Sequence, residues 1–522
     1  MKMRRGWPLF LSIALVLALG PAQWVQGQDG DATYVVDVSR ELGTINKNIY
    51  GHFAEHLGKC IYEGFWVGED SDIPNTRGIR NDVVNALKQL DMPVLRWPGG
   101  CFADTYHWRD GIGPRDQRPT RVNMFWGNVP ESNAFGTHEF MDLVQRLDTE
   151  PYFAGNVGSG TPEEMNAWVE YLTYPGESTL ANLRRENGRE DPWMVRYWGV
   201  GNENWGCGGE MRAEYYADLY RQFATYLRDY GENDLYLIAG GPGGRNPHWL
   251  EVLMEDVGGM MDGVSMHYYT VPNNWQNKGS SLKFEEDEWF ITLQKALQIE
   301  DLITDYISIM DRYDPDNEIG LMVDEWGTWY DPLPGTNPAF LRQQNTLRDA
   351  LVTGATLNIF NAYRERVKMA NIAQTVNVLQ AMVLTDGEDM VLTPTYHVFE
   401  MYKVHQDAQL LDAALETPEY EYDGETIPQI SASASKDASG NVHLSLCNMD
   451  PNEQVTLHCI LKNSDVSSIN GRVLTAKAMN AHNSFDTPES IGPEAFDQFE
   501  RTSDGLSVTL PAKSVVVLSL ER

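Results

Sequence analysis

The chain has 522 residues, 42% of them apolar and 22% charged. That is ordinary globular composition at a length suiting a large barrel plus one accessory domain, and it excludes a single small domain. The formal net charge of −35 repels nucleic acid and anionic membranes and favours neutral substrates. Five cysteines (Cys60, Cys101, Cys207, Cys447 and Cys459) with no Cys-x-x-Cys pair exclude a dense disulfide framework and argue against a zinc knuckle.

In chain order, residues 1–27 read as an export signal. Lys2, Arg4 and Arg5 precede an apolar run from Leu9 to Leu19 that is too short to span a bilayer, and cleavage is expected between Ala22 and Gln28. A secreted or periplasmic protein is therefore expected, with no membrane attachment once the signal is removed. Within residues 28–45, Ala32-Thr-Tyr-Val-Val-Asp-Val-Ser-Arg40 alternates like a strand and is expected to join a β-domain at the far end of the chain.

From 46 to 405, short apolar runs alternate with helical patterns, the signature of βα units around a parallel sheet. Strands are predicted at Asn48–Phe53, Pro93–Trp97, Tyr152–Asn156, Val195–Gly201, Tyr236–Gly240, Gly263–His267, Gly320–Asp324 and Val367–Ile372. Helices such as Arg80–Leu90 and Glu163–Leu172 fall between them. Eight such units fit an α/β fold of the closed (β/α)₈ TIM barrel type. Over 406–522 the pattern becomes all-β. Ile427–Ser435, Val442–Cys447, Gln454–Ile460, Gly471–Met479 and Leu506–Leu520 read as strands, with Asp437-Ala-Ser-Gly440 as a hairpin turn, which predicts a C-terminal β-sandwich domain. Cys447 and Cys459 fit either a disulfide across neighbouring strands or two buried free thiols.

Two segments carry carboxylates at predicted strand tips, where barrel enzymes place catalytic groups. Trp198-Gly-Val-Gly-Asn-Glu-Asn-Trp205 puts Glu203 after strand 4, and Leu321-Met-Val-Asp-Glu-Trp326 puts Glu325 at the end of strand 7. Either alone fits an ordinary loop carboxylate. Together they face each other across the barrel mouth, as retaining glycoside hydrolysis requires of its acid/base and its nucleophile. Asn202 is placed to donate to a sugar hydroxyl, and Trp326 and Trp329 to wall a sugar site. In Ser265-Met-His-Tyr-Tyr269, His267 or Tyr269 is placed to hydrogen-bond the nucleophile. Arg96-Trp-Pro-Gly-Gly-Cys101 ends strand 2, with Arg96 placed to pair with a catalytic carboxylate. Glu55, in Gly51-His-Phe-Ala-Glu-His-Leu-Gly58, is a third carboxylate at the mouth. His52 and His56 are four apart, but the first is not followed by Glu and the segment reads as strand tip and loop, so no metal site is expected. Gly206–Gly209 lacks the Lys-Ser/Thr of a phosphate loop.

These strings, with Tyr106-His-Trp-Arg-Asp-Gly-Ile-Gly-Pro114 and Met369-Ala-Asn-Ile-Ala-Gln374, together resemble glycoside hydrolase family 51, the α-L-arabinofuranosidases, over about residues 45–405. The resemblance implies Glu203 as acid/base and Glu325 as nucleophile. It implies that Glu55, Asn202, His267, Tyr269 and Gln374 hold the arabinofuranose or orient the nucleophile. Cys101 stands where many members carry Asn; its thiol is a weaker hydrogen-bonding group and implies altered sugar binding. The family needs no cofactor, acts on terminal arabinofuranosyl groups of arabinoxylan, arabinan and their oligosaccharides, and is often a trimer or hexamer. The competing readings are another retaining glycosidase on the same frame (an endo-β-1,4-glucanase, a xylanase or a galactofuranosidase) and a non-catalytic carbohydrate-binding barrel.

Overall fold

Parallel strands covered on both faces are largely apolar, and this chain contains eight short runs of that kind. The computed structural model describes residues 32–464 and 466–521; the expected export signal lies outside the described residues. A first strand, β1 (Ala32–Thr44), precedes the barrel. The barrel strands are β2 (Gly51–Phe53), β3 (Val94–Trp97), β4 (Glu150–Gly155), β5 (Tyr197–Val200), β6 (Tyr236–Ala239), β7 (Gly263–Thr270), β8 (Gly320–Thr328) and β9 (Val367–Ile372). They pair in chain order, and β9 closes on β2 through Asn371↔Gly51 and Ile372↔His52. Val94, Tyr152, Tyr197, Ile238, Met322 and Met369 fill the interior, so the barrel is a packed core and its usable opening is the mouth at the strands' C-terminal ends. The first predicted strand is shorter than expected: Lys47–Tyr50 forms a 3₁₀ turn, capped by the Asn46 side chain accepting from the Asn48 amide.

Helices α1 (Asn81–Lys88) and α2 (Pro162–Thr173) lie within the segments predicted for them to within a residue or two. Thr161 caps α2 by accepting from the Glu164 amide, ahead of a proline at its first position. Helix α3 (Leu347–Ala362) is buried along its whole length from Leu347 to Asn361, because barrel strands cover one side and the β-domain covers the other. Its polar groups have partners on both sides. Tyr50 of the barrel donates to Asn361 (3.1 Å), while Asn358 and Asn361 donate to Ser431 (3.1 Å) and Ser433 (3.3 Å) of the β-domain.

The C-terminal strands are β10 (Gln409–Glu416), β11 (Ile430–Lys436), β12 (Val442–Asn448), β13 (Val455–Lys462), β14 (Ser468–Leu474), β15 (Glu494–Phe496), β16 (Phe499–Arg501), β17 (Gly505–Leu510) and β18 (Ser514–Glu521). With β1 they form one ten-stranded sheet in the order β15-β14-β18-β12-β11-β10-β1-β13-β17-β16. Side chains from both halves, such as Leu444 and Leu518 on one and Leu457 and Val508 on the other, meet in a single core, so the sheet folds over itself as a β-sandwich. β1 lies antiparallel to β10 and parallel to β13, which ties the start of the chain to its end. The run predicted over Leu506–Leu520 is two strands, divided at Pro511, which has no amide to continue a ladder. Cys447 on β12 and Cys459 on β13 are separated by three intervening strands and are buried free thiols. Cys447 faces α3 and meets the Tyr402 hydroxyl at 3.3 Å, whereas Cys459 faces the sandwich core.

The contact between α3 and the sandwich depends on Gly354. A Cβ there would lie 2.6 Å from Cys447 Sγ, inside any allowed separation, and 3.0 Å from the Tyr402 hydroxyl, at the limit of it. Gly354→Ala is expected to lower stability by about 1–3 kcal/mol, the usual cost of overpacking a filled core, read as a lower urea midpoint. An unchanged midpoint would mean that the interface yields at no cost.

Candidate active site

The mouth of the barrel is organised by one buried guanidinium. Arg96, near the end of β3, donates from Nη1 to Glu325 Oε1 (2.8 Å) and from Nη2 to Asn202 Oδ1 (2.6 Å), with its Nε 3.5 Å from Asp324 Oδ2. Its carbon lies 4.6 Å from the Phe53 ring centre, on β2. Four barrel strands or their tips therefore converge on one cation. Burial works against its charge, but the Asp324 and Glu325 carboxylates outweigh that and push its pKa further up.

Asp324 and Glu325 are consecutive, so simple strand alternation would point one inward and the other outward. The register shows why both face in. Along β7, Ser265↔Met322 is followed by His267↔Glu325, and along β9, Val323↔Ala370 is followed by Trp326↔Ile372. β8 thus carries one residue more than either neighbour at this point, a β-bulge that re-aims a side chain. Trp326 then turns outward, stacking on Phe399 and meeting Phe360 edge-on, and is 1% exposed. It does not wall the mouth as expected. Trp329 does: it meets Tyr269 edge-on at 5.0 Å, and the exposed Trp275 meets Trp329 at 5.4 Å.

Glu203 sits just past β5 with a positive φ of 41°, on a turn held from below by Asp104, which accepts from the Asn202 amide at 3.2 Å and from the Val157 and Gly158 amides at 2.8 and 2.7 Å. Burial lifts Asp104 to about 7 despite these donors. His267 places Nδ1 2.8 Å from Glu203 Oε1 and 3.6 Å from Glu325 Oε2, and Nε2 3.2 Å from Asp324 Oδ1. Burial alone would lower its pKa, but the surrounding carboxylates, Glu325 first, raise it to about 10. His267 is therefore a cation, and its nearest partner is Glu203 rather than Glu325. Tyr269 donates to Glu325 Oε2 at 2.8 Å. The Glu203 side chain is 20% exposed and that of Glu325 7%: one faces the opening and the other lies at the base. A carboxylate oxygen of each lies within 4.8 Å of the other.

Glu55 follows β2. It accepts from the Phe102 amide (3.1 Å) and Trp126 Nε1 (2.9 Å) on one oxygen and from Gln374 Nε2 (2.9 Å) on the other. Burial and then the charge of Glu325 raise it to about 7, against those three donors. Gly100 approaches so closely that a Cβ there would lie 2.6 Å from Glu325 Oε1. Four buried polar atoms of this cluster have no hydrogen-bond partner: Arg96 Nε and Asp324 Oδ1, which still face opposite charges at 3.5 and 3.2 Å, and Asn202 Nδ2 and Gln374 Oε1, which face none. Buried groups of this kind mark a place where a polar ligand supplies the missing bonds.

Cys101 is not a thiol. It forms a disulfide with Cys207, linking the loop after β3 to the loop after β5. The sulfurs carry no proton to donate; they lie 4.0 Å (Cys101) and 3.5 Å (Cys207) from Glu203 Oε2. Glu55, Cys101, Asn202, Glu203, His267, Tyr269, Glu325 and Gln374 thus meet at one mouth, as do Arg96 and Trp329, whereas Trp326 does not. Asp324, Asp104, Trp126 and Cys207 join them without having been assigned a part, and only a bulge or a long-range pairing reveals why. His52 and His56 do not converge: His56 accepts from Trp97 Nε1 and pairs with Glu131, while His52 is buried and held to about 3 by desolvation.

Comparison with known proteins agrees with this geometry. Residues 86–287 match the α-L-arabinofuranosidase 1 domain family, and residues 324–514 match the α-L-arabinofuranosidase C-terminal domain family. An intracellular exo-α-L-arabinofuranosidase of Bacteroides ovatus is 52% identical over 94% of this chain and 96% of its own length. A probable α-L-arabinofuranosidase C of Aspergillus niger is 32% identical over 90% and 95%. The crystal structure of the family 51 arabinofuranosidase of Xanthomonas axonopodis pv. citri superposes with a TM-score of 0.93 at 50% identity, covering 94% of this chain and all of that one. The Bacteroides relative is named an intracellular enzyme, and that finding overturns the secreted or periplasmic placement expected from residues 1–27. The chain is a glycoside hydrolase and belongs to family 51, the α-L-arabinofuranosidases.

Proposed function

We propose that this arabinofuranosidase is retaining and exo-acting, releasing terminal α-L-arabinofuranose from arabinoxylan, arabinan or their oligosaccharides by double displacement. The observation that carries the reading is the spacing of the two carboxylates. Retaining enzymes hold theirs ~5–5.5 Å apart, and inverting enzymes leave ~6.5–9.5 Å for a water between them. Oxygens of Glu203 and Glu325 within 4.8 Å of each other fit the former.

Glu325, held by Arg96 and Tyr269, attacks the anomeric carbon as the carboxylate. Glu203, the more exposed of the two and on the side of the opening, protonates the departing glycosidic oxygen. The His267 cation beside Glu203 stabilises the charge that this proton transfer leaves behind. Arabinosyl ester formation removes the Glu325 charge, and Glu203 then takes a proton from the water that releases the sugar. Asn202 and Gln374 complete their hydrogen bonding on sugar hydroxyls, as does Glu55. Leaving those groups unpaired with a substrate that lacks the hydroxyls would disfavour it strongly. The Cys101–Cys207 bridge walls the sugar without hydrogen bonding, and the aromatic edges of Tyr269, Trp329 and Trp275 lead outward for the rest of the chain being trimmed.

Three results test this reading. Proton NMR of early hydrolysis of an aryl α-L-arabinofuranoside is expected to show α-arabinofuranose first; the β-anomer first would contradict retention. Glu203→Ala is expected to lose ~10²–10⁴-fold in turnover of an unactivated substrate and to be rescued by azide on an aryl substrate, whereas Glu325→Ala stays inactive. For pH, protonation of Glu55 below about 7 puts an O–H on one of the two oxygens that accept from Trp126 and Phe102 on one side and Gln374 on the other, and removes the charge that holds the sugar hydroxyls. The apparent KM is therefore expected to rise as pH falls through that range, and Glu55→Gln to bind weakly throughout but without that limb. A KM limb unchanged in Glu55→Gln would assign it to another group.

A further inference from the structure

The two sulfurs of Cys101 and Cys207, together with Glu203, form a cluster whose ligand-capable atoms all lie within 4.8 Å of one another. The bridge joins residues 106 apart in sequence and is partly exposed at the mouth, so a small reductant reaches it. The other three cysteines, Cys60, Cys447 and Cys459, are buried free thiols. A tetrahedral zinc ion takes thiolates at ~2.3 Å and a carboxylate oxygen at ~2.0–2.2 Å, which sets neighbouring ligand atoms roughly 3.5–4 Å apart. Glu203 Oε2 already stands 3.5 and 4.0 Å from the two sulfurs. Only the sulfur–sulfur distance must change, and breaking the bond between them frees it.

We propose that reduction of the Cys101–Cys207 bridge creates a binding site for a thiophilic divalent cation of the zinc class, with Glu203 as the third ligand. In the first step a dithiol or phosphine reductant supplies two electrons. The sulfur–sulfur bond breaks and each sulfur gains a proton: a dithiol gives up its own two protons as it closes to its disulfide, and a phosphine takes its oxide oxygen from one water, whose two protons go to the sulfurs. In the second step the cation binds both sulfurs and releases the two protons to solvent. Soft sulfur ligands select zinc or cadmium over magnesium or calcium. Its functional consequence rests on the reading of Glu203 as the acid/base. A cation on Glu203 Oε2 occupies the oxygen that must carry the proton, so the reduced, metal-loaded enzyme is switched off, and either a chelator or reoxidation restores it.

The test separates the site from its consequence. The full-length protein is reduced with a phosphine, freed of reductant under anaerobic conditions, counted for accessible thiols, and titrated with zinc against a coloured chelator. Two new thiols and one tightly held zinc per chain are expected in the reduced protein, with none in the oxidised protein. Cadmium is expected to add a thiolate charge-transfer band in the ultraviolet. Cys207→Ser and Cys101→Ser are each expected to weaken zinc binding at least tenfold, and Glu203→Gln to weaken it while keeping the cadmium band. Zinc held equally by the oxidised protein, no zinc held once the thiols are counted, or a bridge that yields no thiols in the folded protein would each overturn the proposal. If zinc binds as described but hydrolysis of an aryl arabinofuranoside continues, the site stands and the role given to Glu203 fails.

Discussion

Everything at the mouth of this barrel answers to the burial of Arg96. A guanidinium removed from water is tolerable only when anions and acceptors surround it on all donor sides. Here those partners come from two other places in the chain: Asn202 after β5, and the consecutive Asp324 and Glu325 on β8. Satisfying one cation therefore fixes the relative positions of the strand tips that carry the reacting groups. Tyr152 of β4 closes the arrangement by donating to Asp324 Oδ2 at 2.7 Å. Removing Arg96 would leave two buried carboxylates with His267 as their remaining cation, which is the costly case for an ion pair, not its mere absence.

The charges are also distributed so that neighbouring acids do different work. Asp324 is held low because Arg96, His267 and Tyr152 outweigh its burial. Glu55, similarly buried but facing only neutral donors and the charge of Glu325, is lifted instead. His267 bridges the set as a cation between Glu203 and Asp324. Separate settings for carboxyl groups a few ångström apart are what a double displacement needs from a single small cleft. The disulfide adds a constraint of another kind. It holds the loop after β3 to the turn that carries Glu203, where that residue already has a left-handed backbone.

The barrel was legible because its signals are local. Each strand is a short apolar run ending in a polar tip, and these runs keep the same order in space as in sequence. Motifs at the tips then suffice to gather Glu55, Arg96, Asn202, Glu203, His267, Tyr269 and Glu325 at one end, and the resemblance to family 51 adds Gln374. What escaped reading depended on register or on distant pairing. The bulge in β8 puts Asp324 and Glu325 on the same side and sends Trp326 outward, which no alternation pattern in Leu321–Trp326 discloses. Cys101 read as a free thiol because its partner is 106 residues away. Cys447 and Cys459 looked adjacent because their strands follow one another in sequence, yet three strands divide them in the sheet. Of the two side chains that the sequence offers the nucleophile, Tyr269 reaches Glu325, whereas the nearest carboxylate to His267 is Glu203.

The central claim is the division of labour between Glu203 and Glu325, and the most direct measurement is to catch the intermediate. Glu203→Ala, given an aryl α-L-arabinofuranoside with a good leaving group, forms the ester but hydrolyses it slowly, since no base activates the water. Quenching in acid, digestion and mass spectrometry should find one arabinosyl unit added to the peptide containing Glu325 and to no other. An adduct on a different residue, or a burst of released phenol with no covalent sugar on the protein, would contradict the account.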